Sequence, residues 1–253
     1  MERHRELTEL TKSWKAPADL SLSCPREVKL AGGGIAIACM VVLFFLGAIA
    51  AGLGLSSISA RQAGEKQVLS QSGVEAQGTV TRHWRTREKD PQDKITYEFR
   101  HEGRIYHGST KTPRRIWQRL EVGSTLAIRF VPSNPEVNHP SEWEMDVMPA
   151  FVPGLLALVL AGIAMMLLWM LRRQMQLLAD GRPGPAIVIG HKRVKGGKVL
   201  RYEFPLMDGN VGKGRGGQTR KPPEVGSVIT VVYDRDNPKR NAPYPFDLVR
   251  VVR

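Results

Sequence analysis

Two stretches of the chain carry no charged residue, Leu30 to Ala60 and Val147 to Leu171. A bilayer core is crossed by roughly 20 apolar residues in helical form. A soluble core helix rarely stays uncharged on every face for so long. The pattern therefore predicts transmembrane helices over residues 30–58 and 147–171. The segment Ser57-Ile58-Ser59-Ala60 faintly resembles a signal-peptidase site, but residues 1–29 precede the first run, and a signal h-region is short and lies close to the start. An uncleaved anchor is expected. The remainder divides into an N-terminal arm (1–29), a middle unit (61–146) and a last unit (178–253).

Outside the apolar runs the period changes to two. Ile95 to Phe99 and Leu200 to Phe204 alternate apolar and polar residues, as half-buried strands do. His101-Glu102-Gly103 and Met207-Asp208-Gly209 then supply turn chemistry. Leu126, Ile128 and Phe130 alternate again, as do Ile229, Val231 and Tyr233, with Val232 expected to face outward. Asn134-Pro135 and Asn237-Pro238 are expected to stop these strands, because proline cannot donate to a ladder. Pro113 to Leu120 reads as a short helix with Ile116 and Leu120 on one face, whereas Gly212-Lys213-Gly214-Arg215-Gly216-Gly217 reads as a solvated basic hairpin loop.

The two β units share landmarks. Glu121-Val122-Gly123-Ser124 recurs as Glu224-Val225-Gly226-Ser227, and Asn134-Pro135 as Asn237-Pro238, all displaced by 103 residues (224 − 121). Tyr97-Glu98-Phe99 recurs as Tyr202-Glu203-Phe204, and Gly73 and His83 as Gly181 and His191. The expected fold class is thus membrane α+β: two transmembrane helices and two small antiparallel β units related by internal duplication. Tyr97, Phe99, Gly123, Asn134 and Pro135 define the motif in one unit, and Tyr202, Phe204, Gly226, Asn237 and Pro238 in the other.

The charge of +13 is unevenly spread. Residues 61–146 hold 14 Lys/Arg and 12 Asp/Glu, net +2; residues 172–253 hold 17 and 7, net +10. Lys15, Arg26 and Lys29 precede the first apolar run and Arg172 and Arg173 follow the second, whereas residues 132–146 have no Lys or Arg. Basic residues near helix ends stay cytoplasmic. Both termini are therefore expected in the cytoplasm, with the middle unit outside an inner (plasma) membrane crossed twice. Trp143 and Trp169 flank the second run, as interfacial aromatics do.

This layout resembles an uncharacterised bacterial family of two-helix membrane proteins with a domain of unknown function. Its pattern is a Y-x-F strand, a glycine hairpin and a G-x-x-V-x-V-x-Y-x-P-x-N-P ending. Gly123, Ile128, Phe130, Pro132, Asn134 and Pro135 fit it in one unit. Gly226, Val231, Tyr233, Asn237 and Pro238 fit it in the other, where Arg235 stands in place of the first proline. The resemblance implies membrane location and fold, and no reaction.

Candidate chemistry is sparse. Cys24 and Cys39 lie in the arm and in the first apolar run, with no metal-ligand spacing. None of the six histidines sits in a ligand motif, and His101 and His107 are expected as a surface pair on one hairpin. No nucleophile elbow or Cys–His arrangement occurs, and the apolar runs hold no ionisable acid, base or histidine for ion passage. Small-xxx-small pairs (Gly47 with Ala51, Ala48 with Gly52, Ala157 with Ala161) suit helix packing, within the chain or between copies in a homo-oligomer.

The expectation is a non-catalytic interaction or scaffold protein of the cell envelope, without cofactor or metal. Its partners are the lipid bilayer and an envelope protein. One alternative is a cytoplasmic electrostatic module for anionic lipid, or less readily nucleic acid, using Lys192, Arg193, Lys195, Lys198, Lys213 and Arg215. Arg220 and Lys221 add to that charge. The other alternative is an envelope hydrolase with an unrecognised site.

Overall fold

The computed structural model describes residues 9, 13–194, 197–219 and 222–252. The chain forms two compact units, one from Met1–Leu46 with Leu160–Arg253, the other from Gly47–Val159. Two helices are long and apolar enough to cross a membrane: α1, Gly32–Ser72, and α3, Phe151–Asp180. Only 17% and 11% of their most apolar windows are buried. Leu43, Leu46, Leu53, Phe151, Leu158 and Met166 are all exposed. A soluble core helix would hide such residues.

Both helices outlast their apolar runs. The helix expected to end at residue 58 continues to Ser72 through Arg61, Glu65 and Lys66. These polar residues are good helix formers, and Arg61 pairs with Glu65 at i,i+4 spacing. The first helix also starts later, because Leu30 belongs to a strand, β1 (Val28–Leu30). One π-helical turn, Ala51–Leu55, interrupts α1. There a Cβ on Gly52 would stand 3.6 Å from the Ala157 Cβ, so the small-residue pairing operates within the chain. The second helix begins at Phe151 and runs nine residues past Leu171, the last of its charge-free run (180 − 171).

The unit Gly47–Val159 contains one five-stranded antiparallel sheet. Its strands are β2 (Val74–Arg85), β3 (Asp93–His101), β4 (Arg104–Lys111), β5 (Thr125–Val131) and β6 (Asn134–Pro140), with α2 (Arg114–Trp117) between β4 and β5. Their order is β4-β3-β2-β5-β6. Alternation drives Val80, Ile95, Tyr97, Phe99, Leu126, Ile128 and Phe130 into one core. Glu102 and Gly103, with φ of 49° and 78°, turn β3 into β4. Arg85 hydrogen-bonds Asp93 across β2 and β3, and that bond holds the Asp93 carboxyl below its ordinary range.

The other unit contains β7 (Arg182–Val194), β8 (Gly197–Pro205), β9 (Val211–Thr219), β10 (Val228–Tyr233) and β11 (Asn241–Pro243), ordered β11-β10-β7-β8-β9. The two orders are the same: in each sheet the first strand is central, flanked by the second then third, and by the fourth then fifth. A bulge falls at Val80/Arg82 in one central strand and at Val188/Gly190 in the other.

Several expectations are corrected. The Gly212–Gly217 segment is no loop; it lies within β9, paired with β8. The reason is steric. A Cβ at Gly212 would stand 2.5 Å from the Phe204 ring, and one at Gly214 2.2 Å from the Tyr202 ring. Glycine lets the aromatics of β8 lie across the neighbouring strand. Val232 does face away from the Tyr202 core, yet it is fully buried in a second cluster with Leu20, Leu171, Leu178, Val249 and Val251. The preceding strand β5 does end, at Val131, but Asn134-Pro135 itself opens a further strand, β6, after a two-residue turn. His101 and His107 do not face each other: their cross-strand partners are Arg104 and Glu98.

The described part of the N-terminal arm, from Leu20 onward, is integrated into the unit. Its β1 pairs with β12 (Val249–Val251). Leu20 is buried, and the buried Arg26 donates to the carbonyls of Leu20, Leu178 and Gly181 at 3.0, 3.1 and 2.8 Å. Those last two carbonyls lie at the C-terminal end of α3, where a cation complements unsatisfied carbonyl groups.

Candidate functional site: a basic cavity beside the second helix

The motif residues build scaffolds, and the same bonds recur in both sheets. Gly123 and Gly226 have φ of 94° and 92°. Their N–H groups donate to Val80 O and Val188 O, each at 2.8 Å. Those φ values need no Cβ, which is why the E-V-G-S turn holds glycine. His83 bonds Trp117 O at 2.9 Å, and His191 bonds Pro223 O at 2.7 Å. Tyr97 donates its hydroxyl to Asn138 Oδ1 at 2.8 Å; Tyr202 does so to Asn241 Oδ1 at 2.7 Å. Each asparagine in turn donates its amide to a proline carbonyl three residues back, Pro135 (2.8 Å) or Pro238 (2.7 Å).

The repeated unit is thus N-P-x-x-N, with the last Asn as partner to the motif tyrosine. Asn138 and Asn241 stand at the same 103-residue displacement (241 − 138), a signal present in the sequence itself. Burial raises the pKa of Tyr97 and of Tyr202 far above the ordinary tyrosine value. Both hydroxyls stay protonated and serve as structural donors.

Beside this scaffold, in the unit that holds β7 to β12, lies a cavity of about 660 Å³. Six cationic side chains line it: Arg173, Lys192, Arg201, Lys213, Arg215 and Lys239. They come from α3, β7, β8, β9 and the turn before β11. Arg201 and Arg215 are cross-strand partners, so both project to one face. Tyr202 and Asn241 also contribute to the lining. The Glu203 carboxylate lies 3.5 Å from the Lys213 ammonium, and Arg173 also lines an adjoining cavity that holds Asp180, Asp234 and Asp236.

Of the basic residues singled out from sequence, Lys192, Lys213 and Arg215 line the cavity. Arg193 and Lys198 pair in register across β7 and β8, outside the lining. Lys195, Arg220 and Lys221 lie outside the described residues. Arg173, Arg201 and Lys239 were missed. Arg201 was legible as the outward residue between Leu200 and Tyr202; Arg173 and Lys239 were not, since only tertiary packing brings them to the strands.

A smaller cavity of about 470 Å³ in the other unit is lined by Lys66, Lys111, Glu144 and Asp146 among others. Its charges neutralise one another: Lys66 meets Glu144 at 3.1 Å and Lys111 meets Asp146 at 3.6 Å. No group of three or more His, Cys, Asp or Glu side chains suited to a metal occurs among the described residues.

Residues 76–141, which span the β2–β6 sheet, match the family model for a domain of unknown function, DUF3592. No curated protein matches the chain.

Proposed function

We propose that the chain is a twice-spanning cell-membrane protein that performs no reaction and docks an anionic partner on its basic unit. The observation that carries this reading is the cavity: six cations converge beside a helix whose charge-free run ends at Leu171. The charge asymmetry flanking the apolar runs supports both termini in the cytoplasm and residues 61–146 outside. In this reading the cavity lies at the inner leaflet, where anionic lipids attract each Lys or Arg by about 1 kcal/mol. The partner in this reading is the anionic bilayer surface. The shared strand order, the matched bulges and the two N-P-x-x-N anchors support an internal duplication. On that reading the basic unit is a second copy of the fold matched at residues 76–141.

The test uses the full chain in nanodiscs. An amine-reactive reagent is applied, and modification of Lys192, Lys213 and Lys239 is read by mass spectrometry. Phosphatidylglycerol in the disc is expected to protect these lysines relative to neutral lipid. The protection should fade as salt shortens the Debye length from about 8 Å at 0.15 M to about 3 Å at 1 M. Equal modification in neutral and anionic discs overturns the reading. A scaffold role toward another envelope protein is the second reading. It is favoured by Ile105 of β4, a large apolar side chain left exposed, and co-purification of one stoichiometric partner from crosslinked native membranes tests it.

A further inference from the structure

The two sheets provide an internal control on the basic cavity. Register fixes the correspondence: Tyr202 pairs with Gly214 as Tyr97 pairs with Gly108, and Arg201 pairs with Arg215 as Thr96 pairs with Ser109. Lys192 corresponds to Trp84, each lying opposite a residue two before those, Val199 or Lys94. Lys213 corresponds to His107, paired with Glu203 and Glu98 respectively. Lys239 corresponds to Glu136, each two residues before the Asn that receives the tyrosine hydroxyl. So five of the six cations occupy positions where the same scaffold carries Trp, Thr, His, Ser and Glu. The fold does not need them. Their convergence is a property of this one unit.

We infer that the cavity takes the phosphomonoester headgroup of a membrane lipid, in preference to a phosphodiester headgroup. The inference rests on the membrane reading above and goes further by naming the ligand chemistry. Among its described lining residues the cavity has six cations and no carboxylate, an excess that Glu203 beside Lys213 and the Asp180, Asp234 and Asp236 of the adjoining cavity that shares Arg173 only partly offset. A phosphodiester brings one negative charge, whereas a phosphomonoester near neutral pH brings about −1.5 to −2 and three strong acceptor oxygens. Three of the cations are guanidiniums, Arg173, Arg201 and Arg215, whose planar forks match two phosphate oxygens at once.

The neutral groups in the lining are already engaged. The Tyr202 hydroxyl donates to Asn241, and the Asn241 amide donates to Pro238 O. A headgroup recognised through its hydroxyls finds little here, and selection falls to charge. The position favours a lipid over a soluble phosphate. Arg173 follows the charge-free run by two residues, about 3 Å of helix rise, and its guanidinium lies 5.3 Å over the exposed Trp169 ring. That is the depth at which aromatic and basic side chains meet headgroups.

The test measures binding to the purified full chain in a non-ionic detergent at fixed salt. The probes are dioctanoyl phosphatidic acid, dioctanoyl phosphatidylglycerol and glycerol 3-phosphate. Phosphatidic acid is expected to bind about tenfold tighter than phosphatidylglycerol, the size of one additional charge-assisted bond. The triple variant Arg201→Thr, Arg215→Ser, Lys239→Glu installs side chains that the other sheet carries at the corresponding positions, so the fold should tolerate them. It is expected to abolish the preference. Arg201→Lys with Arg215→Lys keeps the charge but removes two forks, and should narrow the preference while leaving phosphatidylglycerol binding in place.

Equal affinity for the two lipids overturns the inference, as does a preference that survives the triple variant. Glycerol 3-phosphate binding as tightly as phosphatidic acid overturns the lipid assignment. If nanodisc phosphatidylglycerol still protects the lysines in any of these cases, the docking reading stands and only the headgroup assignment falls. No dependence on lipid charge in either experiment removes both.

Discussion

Gly214→Ala tests whether the glycine-rich run is strand rather than loop. The added Cβ would stand 2.2 Å from a Tyr202 ring carbon and 2.2 Å from Asn241 Oδ1. Ordinary carbon contacts are about 3.5–4.0 Å, so something must move by more than an ångström. The flexible ends of side chains could yield cheaply, but neither neighbour is of that kind. Tyr202 is fully buried, and its hydroxyl is held to Asn241. Overpacking of this sort costs about 1–3 kcal/mol. If the ring swings away, the buried hydroxyl bond goes too, at about 1 kcal/mol. Alanine's smaller backbone entropy returns about 0.4–1 kcal/mol.

The net is about 1–3.6 kcal/mol, or roughly 5- to 400-fold in the opening equilibrium. Amide hydrogen exchange across β8 and β9, with the full chain in nanodiscs, reads this directly. Gly190→Ala is the control, because nothing lies within 4 Å of a Cβ there. Gly108→Ala should loosen β3 and β4 by a similar factor, its Cβ lying 2.3 Å from both Tyr97 and Asn138 atoms. Were Gly214→Ala to exchange no faster than Gly190→Ala, Tyr202 would not lie across β9, and the steric account of the glycines would be wrong.

Two further outcomes are expected. His139 is buried, with its Nδ1 2.8 Å from Pro140 O, and burial lowers its pKa although that carbonyl contact partly offsets the effect. The unfolded chain therefore binds more protons below about pH 6.5, so stability falls as pH drops through that value toward the folded pKa and is unaffected above it. Exchange in β5 and β6, corrected for intrinsic rates, should quicken between pH 7.5 and 5.5 and should not do so in His139→Gln; the corresponding residue in the other sheet is Ala242, so β10 and β11 should lack the effect. Arg26→Ala strands three carbonyls that now share one guanidinium, and is expected to cost about 2–4 kcal/mol. Limited proteolysis should then cut within residues 18–30, and an unchanged digestion pattern would show that Arg26 does not anchor this segment.

Local periodicity is a property of the sequence alone, and it determined a good deal here. The charge-free runs marked both long helices, because apolar length needs no tertiary context to be recognised. The Y-E-F alternation and the positive-φ glycines at 103, 123, 209 and 226 marked strands and turns, since backbone sterics act over a few residues. The repeated landmarks anticipated two sheets of one strand order.

What the tertiary structure decided depends on residues far apart. Gly212 and Gly214 look like loop until the rings of Phe204 and Tyr202 are placed across them. Val232 looks solvent-facing until Leu20, Leu171 and Leu178 cover it. The segment before α1 looks like a free arm until β12, more than 200 residues later, pairs with it (249 − 28). The cavity is the clearest case. Lysine and arginine on a strand read only as surface charge, and nothing local in the sequence joins Arg173 to Arg201 or Lys239. Packing α3 against the sheet closes that gap, because a three-dimensional cluster of like charge is set by which faces meet rather than by spacing along the chain.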